Sequence, residues 1–232
     1  MCGRFSQSAS PEALAKAFGL PEVPTLSPRY NIAPSQPIPI IRRDASDRAR
    51  HLSLARWGLV PGWTKDPKTA PHPINARAES AAEKPTFRDA FRHRRCLIPA
   101  DGFYEWKTQD AKKQPVRFTM QDGHLFAFAG LWERWQAPDG TLLETATILT
   151  TEANALVRPV HDRMPVILPP AAYDAWLDPG LRDPAALMPM LGPYPASEMR
   201  SYPVSPKVNA TASEGPDLIT PQEPGGGQLS LF

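Results

Sequence analysis

Cys2 stands directly after Met1. Aminopeptidases remove an initiator methionine when the next side chain is small, so the mature chain is expected to begin with this cysteine. Its α-amine and thiol then sit on adjacent carbons. Such a 1,2-aminothiol condenses with an aldehyde: the amine gives an imine, and the thiolate closes onto the imine carbon as a five-membered thiazolidine. An internal cysteine cannot do this, because its nitrogen is an amide. A free α-amine has a pKa of roughly 8 and a thiol of about 8.5, so usable fractions of both nucleophiles exist near neutrality. The alternative is a small second residue that only packs.

Other side chains could serve the same chemistry. Glu105 lies in the run Phe103-Tyr104-Glu105-Trp106. A carboxyl among aromatics is expected to be desolvated, which raises its pKa and suits it to take and return protons near neutrality. The competing reading is an ion pair with an arginine inside a barrel. His161 is the one of the five histidines set in a charged knot, His161-Asp162-Arg163-Met164-Pro165. Asn75, Arg77 and Glu79 alternate, and in an extended segment they would share one face. Trp57 and Trp63 bracket a loop broken by two glycines and a proline. An aromatic there is either a core anchor or a platform on which a base stacks. Arg88, Arg92, Arg94 and Arg95 surround a short amphipathic segment and read as a solvated face. Cys2 and Cys96 alone make neither a disulfide framework nor a zinc-type cluster, so no metal and no cofactor is expected.

The elements that must position these groups are short. Ser10-Pro11-Glu12 starts a helix that Gly19 ends. Tyr30 to Pro34 reads as an irregular turn. Pro37 to Ile41 and His51 to Trp57 read as strands joined by a polar hairpin from Arg42 to Arg50. Thr86 to Arg94 reads as a helix, and Cys96 to Pro99 and Phe103 to Trp106 as strands around an Asp101-Gly102 turn. Pro115 to Met120, His124 to Leu131 and Leu142 to Thr150 follow as strands, punctuated by Asp122-Gly123 and Asp139-Gly140. Thr150 to Asn154 suggests the cap of a short helix, Pro165 to Leu168 a strand and Pro170 the start of a helix. Residues 179–206 read as proline-broken. The pattern predicts an α+β domain with a barrel-like, mostly antiparallel β core flanked by short helices.

Composition narrows the classes. The chain has 232 residues and is 41% apolar, enough for one sizeable core. No apolar run approaches the roughly 18 residues of a membrane span, and no secretory segment opens the chain. A cytoplasmic, nucleoid-associated monomer with no membrane partner is expected. The net charge of +2 is too small to argue nucleic-acid binding from composition. The 29 prolines limit helix length. After Pro221 the composition changes, dividing a domain over 1–220 from a tail over 221–232. The tail runs through Pro224-Gly225-Gly226-Gly227 to Gln228-Leu229-Ser230-Leu231-Phe232. An apolar end behind a glycine linker suggests docking into a partner's pocket, and this one resembles the bacterial sliding-clamp-binding motif, with Gln228, Leu229, Leu231 and Phe232 as anchors.

The motifs converge on one family. Met1-Cys2-Gly3-Arg4-Phe5, Tyr30 to Pro34, Trp57 to Pro61, Asn75-Ala76-Arg77 with Glu79, Cys96 to Ala100, Gly102 to Trp106 and His161 to Pro165 together resemble the SRAP family of abasic-site processing proteins. The resemblance spans residues 1 to about 220. It implies that Cys2 forms a thiazolidine cross-link with abasic sites in single-stranded DNA, shielding the lesion. It implies proton shuttling by Glu105, assistance by His161 at the opened sugar, and orientation of the nucleophile by Asn75. It places Arg4, Asn31, Arg77 and Arg163 against DNA and lets Trp63 stack on or wedge against a base. It also implies lyase behaviour through the imine and self-removal of Met1.

Two readings of other classes stand beside it. A thiol peptidase would use Cys2, His161 and Glu105 as a triad and need no free amine. A non-enzymatic clamp adaptor would need the tail and not Cys2.

Overall fold

The computed structural model describes residues 2–43, 49–109 and 112–222. The tail motif Gln228, Leu229, Leu231 and Phe232, and the centre of the expected hairpin between Arg42 and Arg50, lie outside the described residues. In chain order the elements are β1 (Phe5–Gln7), α1 (Pro11–Phe18), β2 (Arg29–Ile32), β3 (Pro37–Arg43), β4 (Arg50–Trp57), β5 (Asn75–Arg77), α2 (Ala78–Ala81), α3 (Arg88–His93) and β6 (Arg95–Ala100). Then come β7 (Gly102–Gln109), β8 (Lys112–Met120), β9 (Phe126–Gln136), β10 (Leu142–Glu152), β11 (Arg163–Pro165), β12 (Ile167–Leu168), α4 (Tyr173–Leu177), α5 (Pro184–Leu187) and β13 (Met199–Pro203).

Strand β10 organises the molecule. It pairs antiparallel with β9 and parallel with β4, and the path β10-β4-β3-β6-β9 returns to β10. Five strands therefore close a mixed barrel, the barrel-like α+β core expected from the strand pattern. Closure leaves these strands no free edge. Alternation sorts their side chains: Cys96 and Ile98 of β6 join the core shared with Trp57, Phe128 and Ile148, while Leu97 joins the core beneath α1, α3 and α4. Both faces of β6 are covered, so all six of its residues are buried. Gly130 faces Cys96 across β6 and β9, where a Cβ would stand 2.8 Å from the Cys96 Sγ.

The second sheet, β13-β8-β7-β1-β2, is antiparallel throughout and packs Phe5, Phe103 and Phe118 into the barrel-side core. Phe5 meets Trp57 edge-on at 5.3 Å and Phe128 at 5.6 Å. This wedge of aromatics fixes the strand that immediately follows Cys2. Helix α1 is built as its sequence predicts: the Ser10 Oγ accepts from the Ala13 N–H, and Gly19 ends the helix at φ 60°.

Five local expectations are corrected by structure that no local signal announces. Tyr30 to Pro34 is not wholly a turn, because Arg29–Ile32 is a strand on the free edge of β1. Glu79 leaves the Asn75–Arg77 strand for α2, so the three polar residues do not share one extended face. Asn154 caps a turn, not a helix: its Oδ1 accepts from the Leu156 and Val157 N–H groups after β10 has run on to Glu152. Residues 165–168 split, since Pro165 still pairs with β10 while Ile167 already pairs with β9. The proline-broken stretch also holds β13, which pairs with β8 from Met199 to Pro203. Among the described residues no helix is long and apolar enough to cross a membrane.

Candidate active site

Register brings the first site residues together. Phe5 pairs with Phe103, and the Tyr104 N–H donates to the Arg4 carbonyl at 3.0 Å. In this antiparallel register Glu105 falls beside residues 2 and 3. Cys2 is fully buried and Glu105 is 4% exposed. Burial first, and then the Glu105 charge, push the Cys2 thiol far above its ordinary pKa, while the charge of the chain's terminal amine and then a hydrogen bond from the Arg4 backbone oppose them. The thiol at rest is therefore neutral, not the partly ionised group an exposed cysteine would be. Burial also raises the Glu105 carboxyl, against the opposing charge of the chain's terminal amine. The Glu105 expectation, a carboxyl desolvated among aromatics, matches this environment.

His161 follows the turn that Asn154 caps. Its Nδ1 accepts from the Arg163 N–H at 2.9 Å and lies 2.9 Å from Asp162 Oδ1. The ring is thereby oriented, with Nε2 on its opposite side. Arg4, Glu105, Trp106, Lys113, His161 and Asn209 line one cavity of about 420 Å³.

Arg4 is 8% exposed and pairs with no carboxylate among the described residues. Its Nη1 donates to Asn31 Oδ1 and to the Val208 carbonyl, both at 2.7 Å, and its guanidinium carbon lies 5.7 Å from the Trp106 ring centre. Burial lowers its pKa. Asn31, which the resemblance places on DNA, is fully buried, and its Nδ2 donates to the Ala210 and Ser213 carbonyls at 2.9 Å. Asn75 sits on β5 beside Ile148 of β10, and both polar atoms of its amide are buried with no hydrogen-bond partner among the described residues. Such an amide carries the desolvation cost of an unmade hydrogen bond until a ligand meets it.

The remaining expected residues lie on other elements. Arg77 ends β5 and is exposed. Arg163 grips Glu79 with both Nη atoms, at 2.7 and 2.9 Å, and also donates to the Thr150 carbonyl at 2.6 Å. Thus the Glu79 of the Asn75-Ala76-Arg77 motif holds a cation in place. The two loop tryptophans divide: Trp57 is a buried anchor whose Nε1 donates to the Ile74 carbonyl, whereas Trp63 is 66% exposed. Sequence reasoning gave no role to Trp106, Lys113 or Asn209. Trp106 stood inside the aromatic motif around Glu105, but Lys113 and Asn209 reach the cavity through pairing and chain return that leave no local mark. Among the described residues no group of three or more His, Cys, Asp or Glu could hold a metal ion.

The chain belongs to the SOS response associated peptidase (SRAP) family, whose profile matches residues 1–211. It is 46% identical over 224 residues to the abasic site processing protein YoqW of Bacillus subtilis, covering 94% of this chain and 99% of that relative. It is 32% identical over 234 residues to the abasic site processing protein YedK of Escherichia coli, covering 95% of this chain and 100% of YedK. A crystal structure of a Bacteroides thetaiotaomicron protein superposes with a TM-score of 0.86 at 27% identity, over 96% of this chain and 100% of that one.

Proposed function

We propose that this protein processes abasic sites in single-stranded DNA by capturing them as a thiazolidine on Cys2 once Met1 is gone. The observation that carries the reading is geometric: the strand register sets the buried Glu105 beside the buried Cys2, and Glu105 and His161 line one cavity. Membership of a family whose relatives are named abasic site processing proteins supports it.

The steps balance as follows. The α-amine adds to the aldehyde carbon of the ring-opened sugar. Glu105, protonated in its desolvated setting, gives its proton to the departing hydroxyl, and one water leaves as the imine forms. Glu105 then accepts the thiol proton as Sγ bonds to the same carbon. The net change is aminothiol plus aldehyde to thiazolidine plus water, and Glu105 ends as it began. A thiol kept neutral by burial needs such a base at the moment of ring closure. His161 assists at the sugar hydroxyl released by ring opening, and the unpartnered Asn75 amide orients amine and sugar. Arg4, Arg77 and Arg163 meet flanking phosphates, with planar guanidinium groups suited to that geometry. Trp63 stacks on a neighbouring base. Cleavage through the imine and self-removal of Met1 belong to the same reading. The tail, through Gln228, Leu229, Leu231 and Phe232, is proposed to dock on the sliding clamp and deliver the trap to replicating DNA.

Intact-mass measurement after incubation with an oligonucleotide carrying one abasic site tests the reading. A heat-stable adduct at the summed mass less one water is expected for the chain starting at Cys2, and none for Cys2→Ala or for an N-terminally acetylated sample. Salt should weaken capture and leave a formed adduct intact. An adduct that survives acetylation, or that salt dissociates, would overturn the thiazolidine. Peptide cleavage in trans by the acetylated protein would favour a thiol peptidase instead.

A further inference from the structure

We propose that Asn31 is a positioning residue, which fastens the 208–214 segment over β2 and thereby fixes Arg4 as the seat of a DNA phosphate beside the nucleophile. This rests on the capture reading above. It departs from the expectation that Asn31 itself touches DNA.

Both donors of the Asn31 amide are taken within the chain. Its oxygen accepts from Arg4, and its nitrogen donates to the carbonyls of Ala210 and Ser213, with Val208 at 3.4 Å. A buried amide with both N–H donors taken by chain carbonyls has no donor left for a phosphate. Arg4 presents the opposite case. Two acceptors take its Nη1 and the Trp106 ring lies against it, yet among the described residues no carboxylate pairs with it. A nine-tenths buried cation that lines a cavity without a counter-ion is costly unless an anion completes it. A phosphodiester of the captured strand supplies that anion.

The segment that holds Arg4 is tied down repeatedly. The Trp106 Nε1 donates to Asn209 Oδ1 at 2.6 Å on the cavity wall. Glu214 accepts from the Arg29 Nε and from the Tyr30 N–H, both at 2.8 Å. Residues far along the chain thus set the rotamer of a side chain two positions from the nucleophile. The device fixes the phosphate seat in advance, so binding does not have to order it.

The test compares two probes on the full chain starting at Cys2: an abasic single-stranded oligonucleotide, and 2-deoxyribose, which has the aldehyde and no phosphate. For Asn31→Ala, the ratio of the oligonucleotide rate to the deoxyribose rate should fall about tenfold. The slope of log rate against log salt should become shallower by about 0.7, one single-strand phosphate. In an Arg4→Gln background Asn31→Ala should cause no further fall. Asn209→Ala, at an exposed position where folding is not at stake, should lower the ratio less and in the same direction. Equal loss on both probes, additivity with Arg4→Gln, or an unchanged ratio would overturn the proposal. If Asn31→Ala does not fold, an unchanged ratio in Asn209→Ala overturns it alone. A wild type that reacts with neither probe would instead sink the capture reading.

Discussion

Burial pushes the Cys2 thiol and the Glu105 carboxyl beside it toward their neutral forms, and the Glu105 charge raises the thiol pKa further. A carboxyl whose pKa is higher folded than unfolded binds extra protons in the native state between those two values. Stability therefore falls as pH rises through that window, and the whole cost is present above the folded pKa. Glu105→Gln removes the cost. Its melting temperature should exceed that of the parent at pH 7, and the gap should close as pH falls toward about 4.3, the ordinary glutamate value. Cross-linking should meanwhile drop by about a hundredfold or more, the usual scale for a lost proton shuttle. Melting curves from pH 4 to 8 beside adduct kinetics check both, and a less stable variant at pH 7 would contradict the desolvation argument.

Asp101 holds the strand that carries the nucleophile from its other side. Its Oδ1 accepts from the Ser6 Oγ at 2.5 Å and from the Arg117 Nη2 at 2.9 Å. Its Oδ2 accepts from the Ser8 N–H at 2.6 Å and the Ser8 Oγ at 2.5 Å. Asp101→Asn leaves the buried Arg117 without its counter-ion and turns an amide donor toward Ser8. A loss of about 3–5 kcal/mol is expected, the scale for breaking one side of a buried pair. Adding Arg117→Met should recover part of it, because the stranded charge is then gone. Urea unfolding of the single and double variants reads this directly, and a double variant no better than Asp101→Asn would refute the account.

What was legible in the sequence was local. Ser10, Pro11 and Gly19 carry the ends of α1 because capping is decided within a few residues. The desolvation of Glu105 was readable from its aromatic neighbours, and the strand periods pointed to a barrel. Three things were not readable. The closure of the barrel through the parallel β4–β10 pair depends on residues about ninety apart, such as Arg56 and Thr145. The edge strand Arg29–Ile32 exists because β1 offers it partners, so its own composition resembled a turn. The cavity wall around Asn209 comes from a chain return that proline content disguised as irregular. Resemblance named Arg4 and Asn31 alike among the residues on DNA, whereas both amide donors of Asn31 are taken by chain carbonyls.

Arg95 offers a test of the scaffold remote from the cavity. Its five N–H groups donate to five carbonyls: Trp176 from Nε, Phe91 and Arg92 from Nη1, and Asp178 and Leu181 from Nη2. The guanidinium thus closes the ends of α3 and α4 together, although burial lowers its pKa to about 10. Lysine brings three donors from one point and cannot reproduce the fork. Arg95→Lys should lose at least about 2 kcal/mol, since buried carbonyls are left unpaired. The adduct-forming rate per folded molecule should stay as in the parent. Calorimetry with adduct kinetics at 20 °C would check the pair of outcomes, and a variant as stable as the parent would show that water replaces the fork.

Trp57 and Trp63 are six residues apart and should fail in opposite ways. Trp57 is buried against Phe5 and hydrogen-bonded to Ile74, so Trp57→Ala removes a large core side chain and should cost about 3–5 kcal/mol of stability. Trp63 is mostly exposed, so Trp63→Ala should shift stability by no more than about 0.5 kcal/mol. If Trp63 stacks on a base, its removal should weaken reversible binding of single-stranded DNA by about 1–3 kcal/mol, roughly tenfold to a hundredfold. Trp63→Phe should keep most of that affinity, because a smaller aromatic face still stacks. The binding is measured in a Cys2→Ala background, where no covalent step hides the equilibrium. Unchanged affinity in Trp63→Ala would remove Trp63 from the DNA-binding surface and leave Arg4, Arg77 and Arg163 to carry it.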